Sequence, residues 1–380
     1  MKPPESFLKV IRREPTPVTA IDLKTLSEVY DEREIYLSIY VGDYDPSIRH
    51  IRKRLSTIMD AVEGKVEENL IESVEMAKEY IYGRPLPRER GRAIFVSAEE
   101  SLLHVYPLAV EVEPMVVLDT SPFLLPLAKL RDDYEDYAVL YVDSSTAYLY
   151  MVRSDIVEKI SHLKTYLKNR HKKGGMSQMR FNRLRRESIE HFFNKVVQDL
   201  KEELSGADIR GILILGPGEA KKALYEELPG QLKEKVIDLL DTESDLKEEE
   251  IIRMGDERAL EDEVKRSEAS VEELKEAVLK GVPSAYGPEE VRDALLEGRV
   301  RKLVILKDLT IPGWICERCQ WIEVRRRPPK KCPRCGGPPS VVDVVEELYE
   351  LAMRTGSEVE FVSEAPFLEG LGGLGALLRY

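Results

Sequence analysis

The sequence predicts an α/β protein of three domains, with a small cysteine ribbon inserted in the third. Three observations support this. A chain of 380 residues with 43% hydrophobic content can build two or three separate cores. Short strand-like apolar runs alternate with long helical periods. All four cysteines fall in one module, Cys316-x2-Cys319-x12-Cys332-x2-Cys335.

The first domain is expected over residues 1–133. Residues 35–41 are strand-like, and residues 50–82 read as one long charged helix or a helix pair, with Ile51, Leu55, Ile58, Val62, Val66 and Leu70 at helical spacing. Gly83 to Pro87 break the pattern. Short strands follow at 93–96, 102–106 and 115–118. The second domain, 134–271, opens with a hairpin of 137–142 and 146–150 around Asp143-Ser144-Ser145. A long helix, with Phe181, Leu184, Ile189, Phe192, Val196, Leu200 and Leu204 on its packed face, precedes a buried strand at 211–216. Gly216-Pro217-Gly218 lacks the Gly-Lys-Ser/Thr ending of a phosphate loop and reads as a strand-to-helix turn. Residues 241–280 read as an acidic, solvated helix pair. The third domain, 272–380, holds a helix opening at Tyr286 with Pro288 and Glu289 in its first turn, a strand at 300–306, a helix at 341–353 and a strand at 359–362. The ribbon occupies 314–339.

Composition narrows the function. The net charge is −13, which excludes a protein that coats nucleic acid generally but allows a local basic surface. A third of the residues are charged, with only four Asn and four Gln, which fits a heat-adapted source. No apolar run reaches ~18 residues and the first residues carry no apolar signal core, so a cytoplasmic protein without a membrane segment is expected. Paired Cys-x-x-Cys knuckles in that setting point to Zn2+ held by Cys316, Cys319, Cys332 and Cys335 and not to disulfides. Four thiolates leave no open position for water, so the zinc is structural. Trp321, Arg325, Arg326, Arg327, Lys330 and Lys331 lie between the knuckles and form either an RNA-touching tip or a solvated one.

The local basic surface is Lys164 to Arg186, with nine Lys or Arg and no acid, interrupted by Gly174-Gly175. The glycines let the backbone take positive φ and approach a partner closely. The pattern His171-x-Lys173-Gly174-Gly175-x-Ser177-x-x-Arg180-Phe181-x-Arg183-Leu184-Arg185 resembles the loop and helix of the archaeal and eukaryotic class I release factor family. Gly216-Pro217-Gly218, the helix start Tyr286-Gly287-x-x-Glu290-Val291 and the tail from Phe367 to Tyr380 resemble that family and Pelota as well. The resemblance covers about residues 136–380. The first domain is similar instead to that of release-factor homologues that include the Vms-like proteins, and it lacks the codon-reading Asn-Ile-Lys-Ser motif.

The resemblance implies a three-domain, release-factor-like architecture in which archaeal members carry a zinc insertion in the third domain. It implies binding to the ribosomal A site, with the loop in the peptidyl-transferase centre, against ribosomal RNA and peptidyl-tRNA. Arg170, His171, Lys172, Lys173, Arg180, Arg183 and Arg185 would contact RNA, and Gly174, Gly175, Met176 and Gln178 would form the catalytic tip. Met176 stands where the family has its catalytic glutamine; it keeps the backbone N–H, and Gln178 offers a displaced amide, as the Gly-Ser-Gln of Vms-like proteins does. No Ser-His-Asp set is present, and His162, His171 and His191 have no evident partner in sequence. Three functions stay open: peptidyl-tRNA hydrolysis in ribosome rescue without a stop codon, a non-catalytic Pelota-type factor, and a stop-codon-dependent release factor. A translational GTPase or an ABC-type recycling ATPase is the further partner implied.

Overall fold

The structure, a computed structural model, describes residues 8–42, 44–166, 176–244, 246–324 and 327–380, with the backbone alone at 176–178 and 181–182. They divide into two compact units, residues 1–133 with 265–380, and residues 134–264.

In the first unit the chain begins β1 (Lys9–Ile11), α1 (Leu23–Ser27), β2 (Tyr36–Val41), α2 (Tyr44–Met59), α3 (Lys65–Tyr82), β3 (Gly91–Ser97), β4 (Leu102–Leu108), β5 (Met115–Asp119) and α4 (Leu125–Asp133). The sheet order is β1-β4-β3-β2-β5. The long charged period is a helix pair. Gly64 holds φ at +67°, a conformation that interrupts a helix, and α3 starts directly after it. Ile51, Leu55, Leu70, Ala77 and Ile81 pack against Leu37, Ile39 and Val41 of β2.

The second unit contains β6 (Tyr137–Val142), β7 (Thr146–Arg153), β8 (Ile156–Lys164), α5 (Met176–Glu203), β9 (Gly211–Gly216), α6 (Ala220–Glu227), α7 (Gly230–Lys233), β10 (Val236–Asp241) and the first part of α8 (Glu248–Lys280). Its sheet order is β10-β9-β6-β7-β8, parallel across the first three strands and antiparallel across the last three. The central strands are apolar on both faces, as strands covered on both sides must be. Ala138, Leu140, Ile212 and Ile214 meet Phe192, Val196 and Leu200 of α5. Val139, Leu213 and Leu215 face Ile251 and Ala259 of α8. The expected helix pair at 241–280 is instead one helix of 33 residues. Its interior Gly255 does not break it; a Cβ there would lie 2.8 Å from Val139 Cγ2, so the glycine allows helix and sheet to approach closely.

The rest of the first unit is the end of α8, then β11 (Ser284–Tyr286), α9 (Gly287–Leu296), β12 (Val300–Leu306), β13 (Pro312–Cys316), β14 (Ile322–Glu323), β15 (Pro339–Asp343), α10 (Val344–Arg354), β16 (Glu358–Val362), α11 (Pro366–Gly370) and β17 (Leu374–Leu378). One sheet runs β11-β17-β12-β16, and the ribbon forms a second, β14-β13-β15. The helix expected from residue 341 starts three residues later. Val341 to Asp343 pair with β13, and Asp343 caps the helix by accepting the Val345 N–H at 3.1 Å. Within this unit Tyr30 O–H donates to Glu317 at 2.8 Å, Ser121 O–H to Glu350 at 3.2 Å, and Phe361 N–H to Asp132 at 3.1 Å, so both ends of the chain share one compact body. Among the described residues no helix is long and apolar enough to cross a membrane.

Candidate functional sites: a cysteine cluster and a basic helix

The two Cys-x-x-Cys turns have the same backbone geometry. Gln320 N–H donates to the Cys316 carbonyl at 2.8 Å and Gly336 N–H to the Cys332 carbonyl at 2.9 Å. Cys316 N–H donates to the Trp321 carbonyl and Cys332 N–H to the Gly337 carbonyl, both at 2.9 Å. Gln320 and Gly336, each just after a second cysteine, both have positive φ. This repetition turns four sulfurs toward one point. Cys316 and Cys335 Sγ are 3.4 Å apart, Cys319 and Cys332 Sγ are 3.8 Å apart, and all four lie within 4.8 Å of one another. Four thiolates about 2.3 Å from one tetrahedral ion would be spaced by about 3.8 Å. The residues therefore fit a metal ion.

Backbone N–H groups reach two of the four sulfurs, while burial raises the thiols of Cys316 and Cys319. Arg334 N–H donates to Cys332 Sγ and Gly337 N–H to Cys335 Sγ, each at 3.4 Å. At Cys332 the effect of burial is outweighed by backbone N–H groups of Arg334 and Cys335, which bring the thiol down to about 7. Gly337 admits no side chain, because a Cβ would sit 2.7 Å from Arg318 Cβ and 3.1 Å from Cys316 Sγ.

The ribbon is fixed to its unit. The Trp321 ring has the Arg292 guanidinium 4.2 Å and the Arg334 guanidinium 3.9 Å from its centroid, and its indole N–H donates to Glu323 at 3.1 Å. Arg292 of α9, itself buried, also donates to the Ile322 carbonyl at 3.1 Å. Trp321 is thus engaged in anchoring the ribbon. Arg325 and Arg326 lie outside the described residues.

Of the residues expected to act on RNA, Arg170, His171, Lys172, Lys173, Gly174 and Gly175 lie outside the described residues. Met176 opens α5 and Gln178 lies in its first turn. Arg180 and Arg183 are exposed and Arg185 is half-buried. Arg183 pairs with Glu187 at 2.9 Å, an exposed i,i+4 bridge of small stabilising value. The packed face of α5 starts later than its apolar spacing suggests. Leu184 is 43% exposed and Met179 75%, and among the described side chains core contacts begin at Ile189.

Two features went unread in the sequence. Lys221, 1% exposed, places its ammonium beneath the Gly216-Pro217-Gly218 turn, donating to the Gly216 carbonyl at 3.0 Å and the Gly218 carbonyl at 2.7 Å and pairing with Asp241. Two carbonyls of the turn accept from this ammonium, so the turn directs acceptors at a cation, as a plain strand-to-helix turn can. The other is the strand β8, on which His162 stacks against Tyr148.

A family model described as "Bacterial archaeo-eukaryotic release factor family 10" matches residues 122–263, and "eRF1 domain 3" matches residues 264–380. Peptide chain release factor subunit 1 of Pyrococcus abyssi is 26% identical over 385 aligned positions, covering 90% of this chain and 93% of the relative. A crystal structure of the archaeal translation termination factor aRF1 is 19% identical, covers 94% of this chain and 96% of its own, and has a TM-score of 0.29. A model of ribosome-bound archaeal Pelota and ABCE1 is 21% identical, covers 76% of this chain and 77% of its own, and has a TM-score of 0.42.

Proposed function

We propose that this chain, a homologue of the archaeal and eukaryotic class I peptide chain release factors, binds the ribosomal A site and hydrolyses the peptidyl-tRNA ester in ribosome rescue, without reading a stop codon. One observation carries the proposal. The helix α5 starts at Met176, directly after Gly174-Gly175 in sequence, and its first turns hold Arg180 and Arg183 in solvent ahead of the core contacts that begin at Ile189. A basic segment of this kind suits RNA phosphates.

Ester hydrolysis needs a positioned water and stabilisation of the charge on the reacting oxygen. In this reading the two glycines allow a tight backbone turn in the peptidyl-transferase centre, the Met176 N–H donates to the reacting or leaving oxygen, and the Gln178 amide orients water. Arg170, His171, Lys172, Lys173, Arg180, Arg183 and Arg185 hold ribosomal RNA. Cys316, Cys319, Cys332 and Cys335 would hold Zn2+, which supplies folding free energy and no chemistry. The protein would act in the cytoplasm, with a translational GTPase or an ABC-type recycling ATPase as partner.

Met176 at the glutamine position favours a second reading, a non-catalytic factor of Pelota type. Similarity over 90% of the chain to peptide chain release factor subunit 1 favours a third, stop-codon-dependent release. Peptide release from purified ribosome–nascent-chain complexes, with a sense codon, a stop codon or no codon in the A site, separates all three. Release from every complex supports rescue, release only at stop codons supports termination, and binding without release supports the Pelota-type reading.

A further inference from the structure

The edge strand β8 presents an aromatic and basic face and precedes the basic run in sequence. His162 pairs in register with Tyr148 of β7, and the two rings stack with centroids 4.6 Å apart and 27° between planes. Lys159 Nζ lies 4.3 Å from the centroid of the Tyr148 ring. Tyr148 is half-buried by these neighbours, while His162 is exposed. Lys164, two residues along the strand and so on the same face, is exposed opposite Thr146. Tyr166 is 84% exposed, more than any other large hydrophobic among the described residues. A tyrosine so placed contributes almost nothing to a core. From Lys164 onward the chain carries nine Lys or Arg before its next acid, Glu187.

The nearby acids are engaged. Glu248 pairs with Lys159 at 3.2 Å and accepts the Tyr150 O–H at 3.3 Å. Asp143 accepts the N–H groups of Ser145 at 2.6 Å and Thr146 at 2.7 Å. What remains is exposed aromatic rings interleaved with cations. That composition fits unpaired nucleotides, whose bases stack on rings while phosphates meet ammonium groups. It does not suit duplex RNA, whose base faces are already stacked.

We propose that His162, backed by Tyr148, and Tyr166 form a stacking platform for single-stranded RNA, with Lys164 on the phosphate between them. The platform rests on the ribosome-binding reading only for the source of that RNA, a ribosomal loop or the unpaired end of a tRNA.

The test measures binding of the full chain to a short fluorescein-labelled oligouridylate by anisotropy, with an RNA duplex of equal length as competitor. The single strand is expected to bind more tightly than the duplex. His162→Ala and Tyr166→Ala should each weaken binding by about tenfold, within the range of one lost base stack, without changing its salt dependence. Lys164→Gln should instead lower the salt slope by about 0.7. His162→Phe should restore binding, which a purely structural histidine would not do. Thermal melts of the variants should match wild type, since both rings are exposed. Wild-type affinity in both alanine variants, or equal competition by duplex, overturns the platform. Oligouridylate binding that depends on His162 in a chain that does not sediment with ribosomes would sink the ribosome reading and keep the platform. Ribosome binding untouched by either alanine, with no oligouridylate bound, would do the reverse.

Discussion

At the residue scale, the proposed catalytic residues Gly174 to Gln178 set backbone against side chain. A Cβ at a position that needs positive φ strains a turn, so Gly175→Ala should abolish peptide release while ribosome binding persists. A lost oxyanion-type donor costs roughly 3 kcal/mol, a hundredfold or more in rate. Met176→Ala keeps its N–H and should lose little, whereas Met176→Gln should raise release. Gln178→Ala decides whether the displaced amide works: a large loss assigns the water to Gln178, and no loss leaves the backbone as the catalyst. Single-turnover release on stalled complexes, with binding measured alongside, distinguishes these outcomes. Lys221 shows what sequence alone conceals at this scale. Its neighbours in the chain give no sign that its ammonium lies beneath the turn at Gly216 to Gly218.

At the scale of elements, the ribbon has the clearest local logic. Two identical turns aim four sulfurs at one point, and Gly337 closes against them. Cys332→Ser should strip zinc. Because metal binding in such modules supplies roughly 10 kcal/mol or more of folding free energy, the variant should destabilise the body formed by residues 1–133 and 265–380 while the 134–264 unit keeps its hydrogen-exchange protection. Protein purified without chelator should contain one zinc per chain, and metal analysis finding none would refute the assignment. The strand β8 is the opposite case. Its apolar alternation is broken by a register shift between Leu149 and Tyr150, which changes the face that later residues occupy. No simple period marks it, and so the hairpin of β6 and β7 looked complete without it.

At the scale of the whole molecule, the body formed by residues 1–133 and 265–380 encloses carboxyl groups. Glu317, Glu346 and Glu350 are buried and Asp119 is half-buried. Burial lifts Asp119 to about 6 and Glu350 to about 7, the latter against the opposing effect of Arg354 and Ser121. Glu346 and Glu347 are also raised by burial, with their acidic neighbours adding to the effect. A carboxyl raised in the folded state binds its proton more tightly there than in the unfolded chain. Its stabilising contribution is complete below its ordinary 4.5 and is lost as pH rises through about 7. Glu350→Gln removes that dependence while keeping an acceptor oxygen for Ser121; the lost Arg354 contact costs the same at every pH. The variant should therefore gain on wild type by roughly 3 kcal/mol between about pH 4.5 and 8. Urea denaturation at the two ends of that window measures the gain, and parallel losses in both proteins would show that Glu350 does not titrate there.

The sequence by itself determined what local chemistry encodes. Cysteine spacing specifies a knuckle, because a two-residue spacer turns both sulfurs one way. Apolar runs such as Val139 to Val142 and Ile212 to Leu215 specify strands covered on both faces. Charge counted along the chain locates the basic segment at Lys164 to Arg186. The tertiary structure alone decided which side chains meet across many residues. Tyr148 meets His162 only through the register of two strands, and Trp321 rests between Arg292 and Arg334 only because the ribbon lies on α9. Glu350 is raised because packing between distant segments buries it, and its partner Ser121 lies 229 positions earlier in the chain. Periodicity records which face of an element is apolar; what covers that face depends on packing between distant segments, which no local pattern carries.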